Sequence, residues 1–257
     1  MHWSIELGRI DLAHSGAVMS KIMMASSRQG HLVALVKIFA YIQKPLWLCI
    51  VFDPNVRDWS SYQWSSHDWS EFYPGLTEAI PPNMPTPYGY PVQINMFCDA
   101  AHAVDLLTRC STTGIVIFIN GSPIRWFSKA QNTIESSTFG SEFVALKIAT
   151  ELNKGIRYKL RMFGIPIDGP TNTFCDNNSV VQNVTRPESV LQKKHNCIAY
   201  HKVRESVTSQ AMRILHEPGN SNLLADVLTN LLPPAKHMAC CKCMLWWSYC
   251  PFTYQGY

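Results

Sequence analysis

The chain has no apolar run that approaches the roughly 18 residues needed for a helix to span a bilayer, and its first residues do not resemble a signal peptide. It has nine cysteines, but no CxxC pair accompanied by a second pair or by two histidines at zinc spacing. Cysteines without such partners are usually buried free thiols in a reducing compartment. We therefore expect an intracellular protein, cytoplasmic or nuclear, that is neither secreted nor inserted in a membrane.

Charge is also scarce. Charged residues make up 16% of the chain, against 47% hydrophobic residues, a balance that supplies a packed core and excludes wholesale disorder. The net charge of +4 is too small to indicate a polyanionic partner. Between Val184 and His216, however, six basic residues stand against two acidic ones. That stretch is either a solvated basic face or a surface that follows a phosphate backbone.

Composition divides the chain into four parts. Residues 1–46 have apolar positions at helical spacing and are predicted to be helical. Residues 47–91 hold seven prolines, which deny backbone donors to helices and sheets. We expect an irregular connection there, with tryptophans that pack on a neighbouring domain rather than stack on nucleic-acid bases. Residues 92–232 have regular patterns, and residues 233–257 form an unassigned tail rich in cysteine and tryptophan.

The regular part predicts the element order β-β-β-α-β-α-α-β-α. Alternating apolar residues over 92–98 predict the first strand. Asn120-Gly121, between apolar runs at 115–119 and 124–127, predicts a hairpin with a type I′ turn. A long helix is predicted from about 138 to 164, and shorter elements follow. This order indicates an α/β (α+β) fold with a mixed sheet and helices on its faces, and the antiparallel hairpin disfavours a fully parallel sheet.

Four acidic residues fall at structurally meaningful points of this pattern. Asp99 and Asp176 follow predicted strands, Glu142 lies near the start of the long helix, and Asp226 lies among apolar residues in the last helix. Each alone could be a surface carboxylate. Together they suggest a metal site, because acidic groups in apolar settings are costly unless paired or bound to a cation. Converging carboxylates suit Mg²⁺ or Mn²⁺, and two such ions can promote phosphodiester hydrolysis.

The same residues carry a family resemblance. In family order over about 140 residues, the chain resembles the ribonuclease H domain at the end of copia-type retrotransposon polyproteins. The matching stretches are 98–105, Thr108-Arg109, 111–114, 121–129, Gln131, 135–138, 142–146, 175–179, Lys194-His195, 200–205 and 224–229. The resemblance implies a ribonuclease H-like mixed five-stranded sheet flanked by helices, and hydrolysis of the RNA strand of RNA–DNA hybrids.

The resemblance also implies roles for individual residues. The acidic set carries over to Asp99, Glu142, Asp176 and Asp226, which would hold two Mg²⁺ or Mn²⁺ ions. Asp99 would bridge both ions, Glu142 and Asp176 would hold one, and Asp226 the other. His216 stands where related enzymes outside the copia group often have a histidine that assists proton transfer and product release; the alternative is a partly exposed loop histidine.

A hybrid substrate calls for contacts to 2′-hydroxyls and to phosphates. The polar candidates are Gln131, Asn177 and Asn178, and the phosphate candidates are Lys193, Lys194, Lys202 and Arg204. The family usually has basic residues at the positions of Cys110 and Asn230 and a small residue at that of Val104, so the chain departs from the pattern there.

Residues 7–12, 30–32 and 38–44 resemble the end of the reverse transcriptase region of the same polyprotein, which is a candidate partner. The paired-aspartate motif of the polymerase is absent from the sequence, so we do not expect DNA synthesis. Three functions remain open: an active hybrid ribonuclease, a truncated inactive remnant that at most binds nucleic acid, and another enzyme of this fold class such as an integrase. An integrase would need a different acidic triad and usually a His/Cys zinc module.

Overall fold

The computed structural model of the protein describes residues 2–24, 28–43, 48–191, 196–218 and 223–246. The helices in those residues are α1 (His2–Glu6), α2 (Ala13–Met24), α3 (Gln29–Gln43), α4 (Thr138–Met162), α5 (Asn178–Thr185), α6 (Cys197–Thr208), α7 (Leu223–Thr229) and α8 (Pro234–Met244). The strands are β1 (Cys49–Ile50), β2 (Ile94–Ala101), β3 (Thr112–Ile119), β4 (Ser122–Ala130), β5 (Thr171–Cys175), β6 (Met212–His216) and β7 (Leu245–Trp246).

Five strands form one mixed sheet in the order β4-β3-β2-β5-β6. Strands β2, β3 and β4 are antiparallel neighbours, while β5 runs parallel to both β2 and β6. The predicted mixed five-stranded sheet with flanking helices is therefore confirmed, and so is the element order between residues 92 and 232. No helix in the described part of the chain is long and apolar enough to cross a membrane.

The hairpin between β3 and β4 has the predicted two-residue loop but not the predicted turn type. Of the two loop residues, Asn120 and Gly121, only Asn120 has a positive φ, of 53°. A type I′ turn requires a positive φ at both. The connection preceding β2 packs on this loop, which accounts for the difference. Gly121 donates its N–H to the Asp53 carbonyl at 3.2 Å, and the Asn120 amide donates to the Pro54 carbonyl at 3.0 Å.

One face of the sheet is covered by α4, α5 and α6. Helix α4 begins after Ser137, whose side chain accepts a hydrogen bond from the Gly140 N–H. Its buried residues Phe143, Leu146 and Ala149 follow helical spacing and pack on the sheet. They share a core with residues on alternate positions of the strands, including Met96, Cys98, Ile115, Ile117, Cys175 and Met212.

The opposite face is covered by α7, α8 and the N-terminal elements. Phe97, Phe118 and Phe174 point to this face and share a core with residues of α7, α8 and the first helical segment. The Trp126 indole donates to the Ile5 carbonyl at 3.1 Å, which ties α1 to the sheet. The sequence leaves the region from residue 233 unassigned. Its described part, 234–246, packs into this core and pairs β7 with β1.

The proline-rich connection between β1 and β2 is irregular, as predicted, and packs against the sheet. The Trp59 and Trp64 rings lie 4.7 and 5.9 Å from the ring of Phe174, and Trp69 is buried in the core on the α4 face. The prediction that these tryptophans pack on a neighbouring part of the protein is confirmed for Trp59, Trp64 and Trp69. Further along the connection, Glu78 forms paired hydrogen bonds with Arg157 and Arg161 of α4 at 2.6–2.8 Å.

Candidate metal centre

The four predicted acidic residues converge at one end of the central strands. Mutual repulsion links Asp99, Asp176 and Asp226, and it links Glu142 with Asp99 and Asp176. Burial, followed by repulsion from Asp176 and Asp226, raises the pKa of Asp99 to about 6. Burial and repulsion from Asp226 also raise the pKa of Asp176. Asp99 lies within β2 rather than at its end, because β2 continues to Ala101 in register with β3.

A glycine lets helix α7 approach Asp99. Gly114 of β3 lies directly opposite Asp99 in the antiparallel register. A Cβ atom there would lie 2.6 Å from Thr229 Cγ2 and 2.9 Å from the Ala225 carbonyl oxygen, both on α7. Without that Cβ, α7 packs closely enough for the Thr229 hydroxyl to donate to Asp99 Oδ2. The same close packing brings Asp226, on α7, to the site.

Glu142 reaches the site from α4, on the other face of the sheet. Its Oε1 accepts a hydrogen bond from the Ala100 N–H at 3.2 Å. Its Oε2 is buried and has no hydrogen-bond partner among the described residues. Burial, followed by repulsion from Cys175, Asp99 and Asp176, raises the pKa of Glu142 well above its usual value.

Asp226 is placed differently from the other three. Its Oδ2 forms an ion pair with Lys236 Nζ at 2.7 Å, and its Oδ1 accepts from Asn230 Nδ2 at 3.2 Å. Lys236 lies on α8, in the segment left unassigned by the sequence. This contact could not be predicted from the sequence because the two residues lie on separate helices with Pro233 and Pro234 between them, and no local motif links them.

These residues fit divalent cations. Four carboxylates that repel one another need a counter-charge, and the buried Glu142 Oε2 needs a partner. Carboxylate oxygens are the ligands that Mg²⁺ and Mn²⁺ prefer. Among the described residues, the ammonium of Lys236 forms an ion pair with Asp226, while no ion pair of Asp99, Glu142 or Asp176 is found there.

The predicted histidine lies next to the carboxylates. His216 is the last residue of β6 and pairs in register with Cys175. It belongs to a strand rather than to a loop. Its Nε2 lies 2.9 Å from the backbone carbonyl oxygen of Asp176. This contact places the imidazole at the edge of the carboxylate group.

Two predicted nucleic-acid contacts are wrong, because their side chains are buried. Arg204 is 2% exposed; its guanidinium donates to backbone carbonyls such as those of Arg186 and Pro187 and lies 4.6 Å from the rings of Trp69 and Tyr200. Gln131 is 4% exposed, and its amide donates to the Ser141 carbonyl at 2.8 Å and the Thr113 hydroxyl at 3.0 Å. Both side chains hold the fold together.

Three of the other predicted contacts, Asn177, Asn178 and Lys202, are more accessible. Asn178 is exposed at the start of α5, while the Asn177 side chain accepts from the Val180 N–H and caps that helix. Lys202 is partly exposed and pairs with Glu151. Lys193 and Lys194 lie outside the described residues.

No protein-family model matches the chain. It is 28% identical over 144 residues to the retrovirus-related Pol polyprotein from transposon RE2 of Arabidopsis thaliana, which covers 56% of this chain and 10% of that polyprotein. It is 30% identical over 147 residues to the retrovirus-related Pol polyprotein from transposon TNT 1-94 of Nicotiana tabacum. That match covers 56% of this chain and 11% of the polyprotein. The homologues of this chain are retrovirus-related Pol polyproteins of transposons. The chain spans about a tenth of their length.

Among solved structures, the chain is similar to LC11-RNase H1 in complex with an RNA/DNA hybrid, with a TM-score of 0.43 and 18% identity, over 54% of this chain and 94% of that one. It is also similar to the foamy viral protease-reverse transcriptase in complex with an RNA/DNA hybrid, with a TM-score of 0.37 and 15% identity, over 77% and 26%.

Proposed function

We propose that this chain contains a metal-dependent ribonuclease H domain of a copia-type retrotransposon polyprotein, which hydrolyses the RNA strand of RNA–DNA hybrids. The observation that carries the proposal is the convergence of Asp99, Glu142, Asp176 and Asp226, with one buried Glu142 oxygen left unpartnered among the described residues. The similarity to Pol polyproteins supports it, as does the resemblance of the motifs around these acids to that family.

In this proposal the four carboxylates hold two Mg²⁺ or Mn²⁺ ions. When bound, such ions activate a water and stabilise the leaving oxygen of the phosphodiester. The chain holds the carboxylates in place: the Thr229 hydroxyl orients Asp99, and the Ala100 N–H orients Glu142. His216, at the edge of the group, is proposed to move a proton during the reaction.

The proposed substrate contacts are those that exposure allows. Asn178 is proposed to reach the sugar–phosphate backbone, with Asn177 beside it, and Lys202 to contact phosphate. Lys193 and Lys194 remain proposals from the sequence. Phosphate contacts of this kind make binding of the hybrid decrease with salt concentration.

The organisation of the chain is also part of the proposal. Residues 1–46 would be the end of the reverse transcriptase region, 47–91 a connection, 92–232 the ribonuclease H domain, and 233–257 a tail. The reverse transcriptase part of the parent polyprotein is the proposed partner, and the proposed location is intracellular, in the cytoplasm or nucleus.

The test is cleavage of a labelled RNA–DNA hybrid by the purified chain with Mg²⁺ or Mn²⁺, beside EDTA and an Asp99→Asn variant. We expect cutting of the RNA strand that requires metal and disappears in the variant. A folded protein that binds the hybrid but does not cut it would overturn the active-enzyme proposal and leave the inactive remnant. Joining of duplex DNA ends would instead indicate an integrase-type enzyme.

A further inference from the structure

A cysteine thiol lies among the candidate metal ligands. Cys175 Sγ and one carboxylate oxygen each of Glu142 and Asp176 all lie within 4.8 Å of one another. Within the described residues, no other group of three histidine, cysteine, aspartate or glutamate side chains comes together in this way. The group therefore combines one sulfur atom with two oxygen atoms.

The position of this thiol is fixed by the sheet. Cys175 is the last residue of β5, between Cys98 of β2 and His216 of β6 in the parallel registers. It is fully buried, and its side chain belongs to the core on the α4 face, the face from which Glu142 approaches. The sulfur atom is thus held beside the carboxylates by the backbone pairing.

A second feature of the group points to a missing ligand. Glu142 is 6% exposed, and its Oε2 has no hydrogen-bond partner among the described residues. Leaving a buried carboxylate oxygen unpartnered is costly. A cation bound by this oxygen would remove that cost.

The donor set discriminates between cations. Mg²⁺ binds oxygen and has little affinity for sulfur, whereas thiolates favour softer ions. Tetrahedral Zn²⁺ has bonds of about 2.3 Å to sulfur and 2.0–2.2 Å to carboxylate oxygen, so its ligand atoms lie about 3.3–3.8 Å apart. The separations in the group are compatible with such an ion, which would keep a fourth position for water.

We propose that Glu142, Cys175 and Asp176 form a binding site for a thiophilic divalent cation of the Zn²⁺ and Cd²⁺ type. On binding, the Cys175 thiol gives its proton to solvent and the sulfur coordinates the ion. The site shares Glu142 and Asp176 with the proposed Mg²⁺ centre. To the extent that the proposed function holds, a thiophilic ion therefore displaces Mg²⁺ and inhibits hybrid cleavage.

The test uses Cd²⁺ as the probe, because cadmium bound to a thiolate has an ultraviolet charge-transfer absorption. Metal-free protein with all 257 residues is titrated with Cd²⁺, beside Cys175→Ser, Glu142→Gln and the matched control Cys98→Ser. Cys98 is also fully buried, and its thiol contacts that of Cys175 from the neighbouring strand β2, but it is not in the group; its replacement therefore controls for loss of a second buried thiol next to Cys175. The other cysteines contribute the same background to every variant, so difference spectra isolate Cys175.

In the wild type, we expect the charge-transfer absorption to appear with high Cd²⁺ affinity. Cys98→Ser should keep this absorption, and Cys175→Ser should lose it. Glu142→Gln should bind Cd²⁺ at least tenfold more weakly. Identical titrations of the wild type and Cys175→Ser would overturn the proposal. If Cys175→Ser does not fold, unchanged Cd²⁺ affinity in folded Glu142→Gln would overturn it equally. Hybrid cleavage is not part of this readout. A protein that binds Cd²⁺ through Cys175 but never cuts the hybrid contradicts only the proposed function, and an active nuclease without the Cys175 signal contradicts only this site.

Discussion

The two sides of the carboxylate group carry their negative charge in different ways. On the buried side, Asp99 and Glu142 are 5% and 6% exposed, and their polar contacts are to a hydroxyl and a backbone N–H. On the solvent side, Asp226 has an ammonium group 2.7 Å away, on a lysine side chain that is 35% exposed. Among the described residues, Asp99 thus has no counter-ion, whereas Asp226 in the same site is neutralised by Lys236.

This difference indicates where a bound cation contributes most. On the buried side, a proton or a metal ion must supply the missing positive charge, because burial penalises the ionised form. On the solvent side, a metal ion has to displace Lys236 from Asp226. We therefore expect the buried side to dominate both metal affinity and the stability of the metal-free protein, with a smaller contribution from the solvent side.

The largest expected effect is that of Glu142→Gln on catalysis. Metal ions contribute several kcal/mol to such reactions, and each factor of ten in rate corresponds to about 1.4 kcal/mol, so we expect loss of cleavage on the order of 10³-fold. Cleavage of a labelled hybrid at saturating Mn²⁺ measures it. Glu135→Gln is the matched control, since Glu135 is similarly buried near the start of α4 but lies outside the carboxylate group. Equal loss in both variants would show that the effect is structural.

The second effect concerns the pH dependence of stability without metal. The pKa of Asp99 is raised from 3.8 to about 6, so the protonated form is favoured in the folded state. Its contribution to stability is present below pH 4 and is lost as the pH rises through 6. A shift of about two pKa units corresponds to about 3 kcal/mol.

In EDTA, the free energy of unfolding of the wild type, relative to Asp99→Asn, should fall by that amount between pH 4 and pH 7. Urea unfolding at each pH measures the difference. Added Mn²⁺ should restore stability to the wild type and not to the variant. If the free energy of unfolding depended on pH in the same way in both proteins, ionisation of buried Asp99 would not destabilise the metal-free protein.

The third prediction concerns Gly114→Ala, which tests whether the site requires close packing of α7 on β3. The added Cβ would lie 2.6 Å from Thr229 Cγ2 and 2.9 Å from the Ala225 carbonyl oxygen, so α7 must move away from β3. Overpacking of this kind costs about 1–3 kcal/mol, and displacement of Thr229 and Asp226 should reduce cleavage further. Thermal unfolding and cleavage assays check both effects.

Gly155→Ala is the control for that substitution, because within the described residues no atom outside the neighbouring helix backbone lies within 4 Å of a Cβ at Gly155 in α4. It should stabilise the protein by about 0.5–1 kcal/mol through helix propensity alone. If Gly114→Ala were as harmless, close packing of α7 on the sheet would not be needed to build the site.

The sequence predicted the sheet correctly, and the acidic residues that follow its strands lie near one another for the same physical reason. Asp99 and Asp176 follow apolar strand patterns, and strand periodicity determines where such residues end up. The prediction of Arg204 as a phosphate contact failed because a charge count does not reveal burial. Its guanidinium is enclosed by Trp69 and Tyr200, and Trp69 comes from a connection more than a hundred residues earlier in the chain. Contacts of that kind depend on tertiary packing.

Lys236 shows the other limit of sequence reasoning. It lies in a segment that matches no family motif, and its partner Asp226 is on a different helix. The copia-type sequences that the chain resembles usually have a basic residue at the position of Asn230, which is neutral here. In this chain the amide of Asn230 and the ammonium of Lys236 both contact Asp226. A positive charge is therefore present beside Asp226, but it comes from helix α8.

The smallest expected effect is that of Lys236→Met on Mn²⁺ affinity, and it concerns the solvent side of the carboxylate group. Lys236→Met removes the ammonium group and keeps much of the aliphatic side chain, so a metal ion no longer competes with it for Asp226. Because the pair is partly exposed, its free energy is at most about 1 kcal/mol, and Mn²⁺ affinity should rise by about fivefold or less. Lys242→Met, on the same helix, removes the same charge without altering the Asp226 contact. Isothermal titration with Mn²⁺ separates the two: a rise only in Lys236→Met supports competition for Asp226, whereas equal rises would assign the effect to net charge.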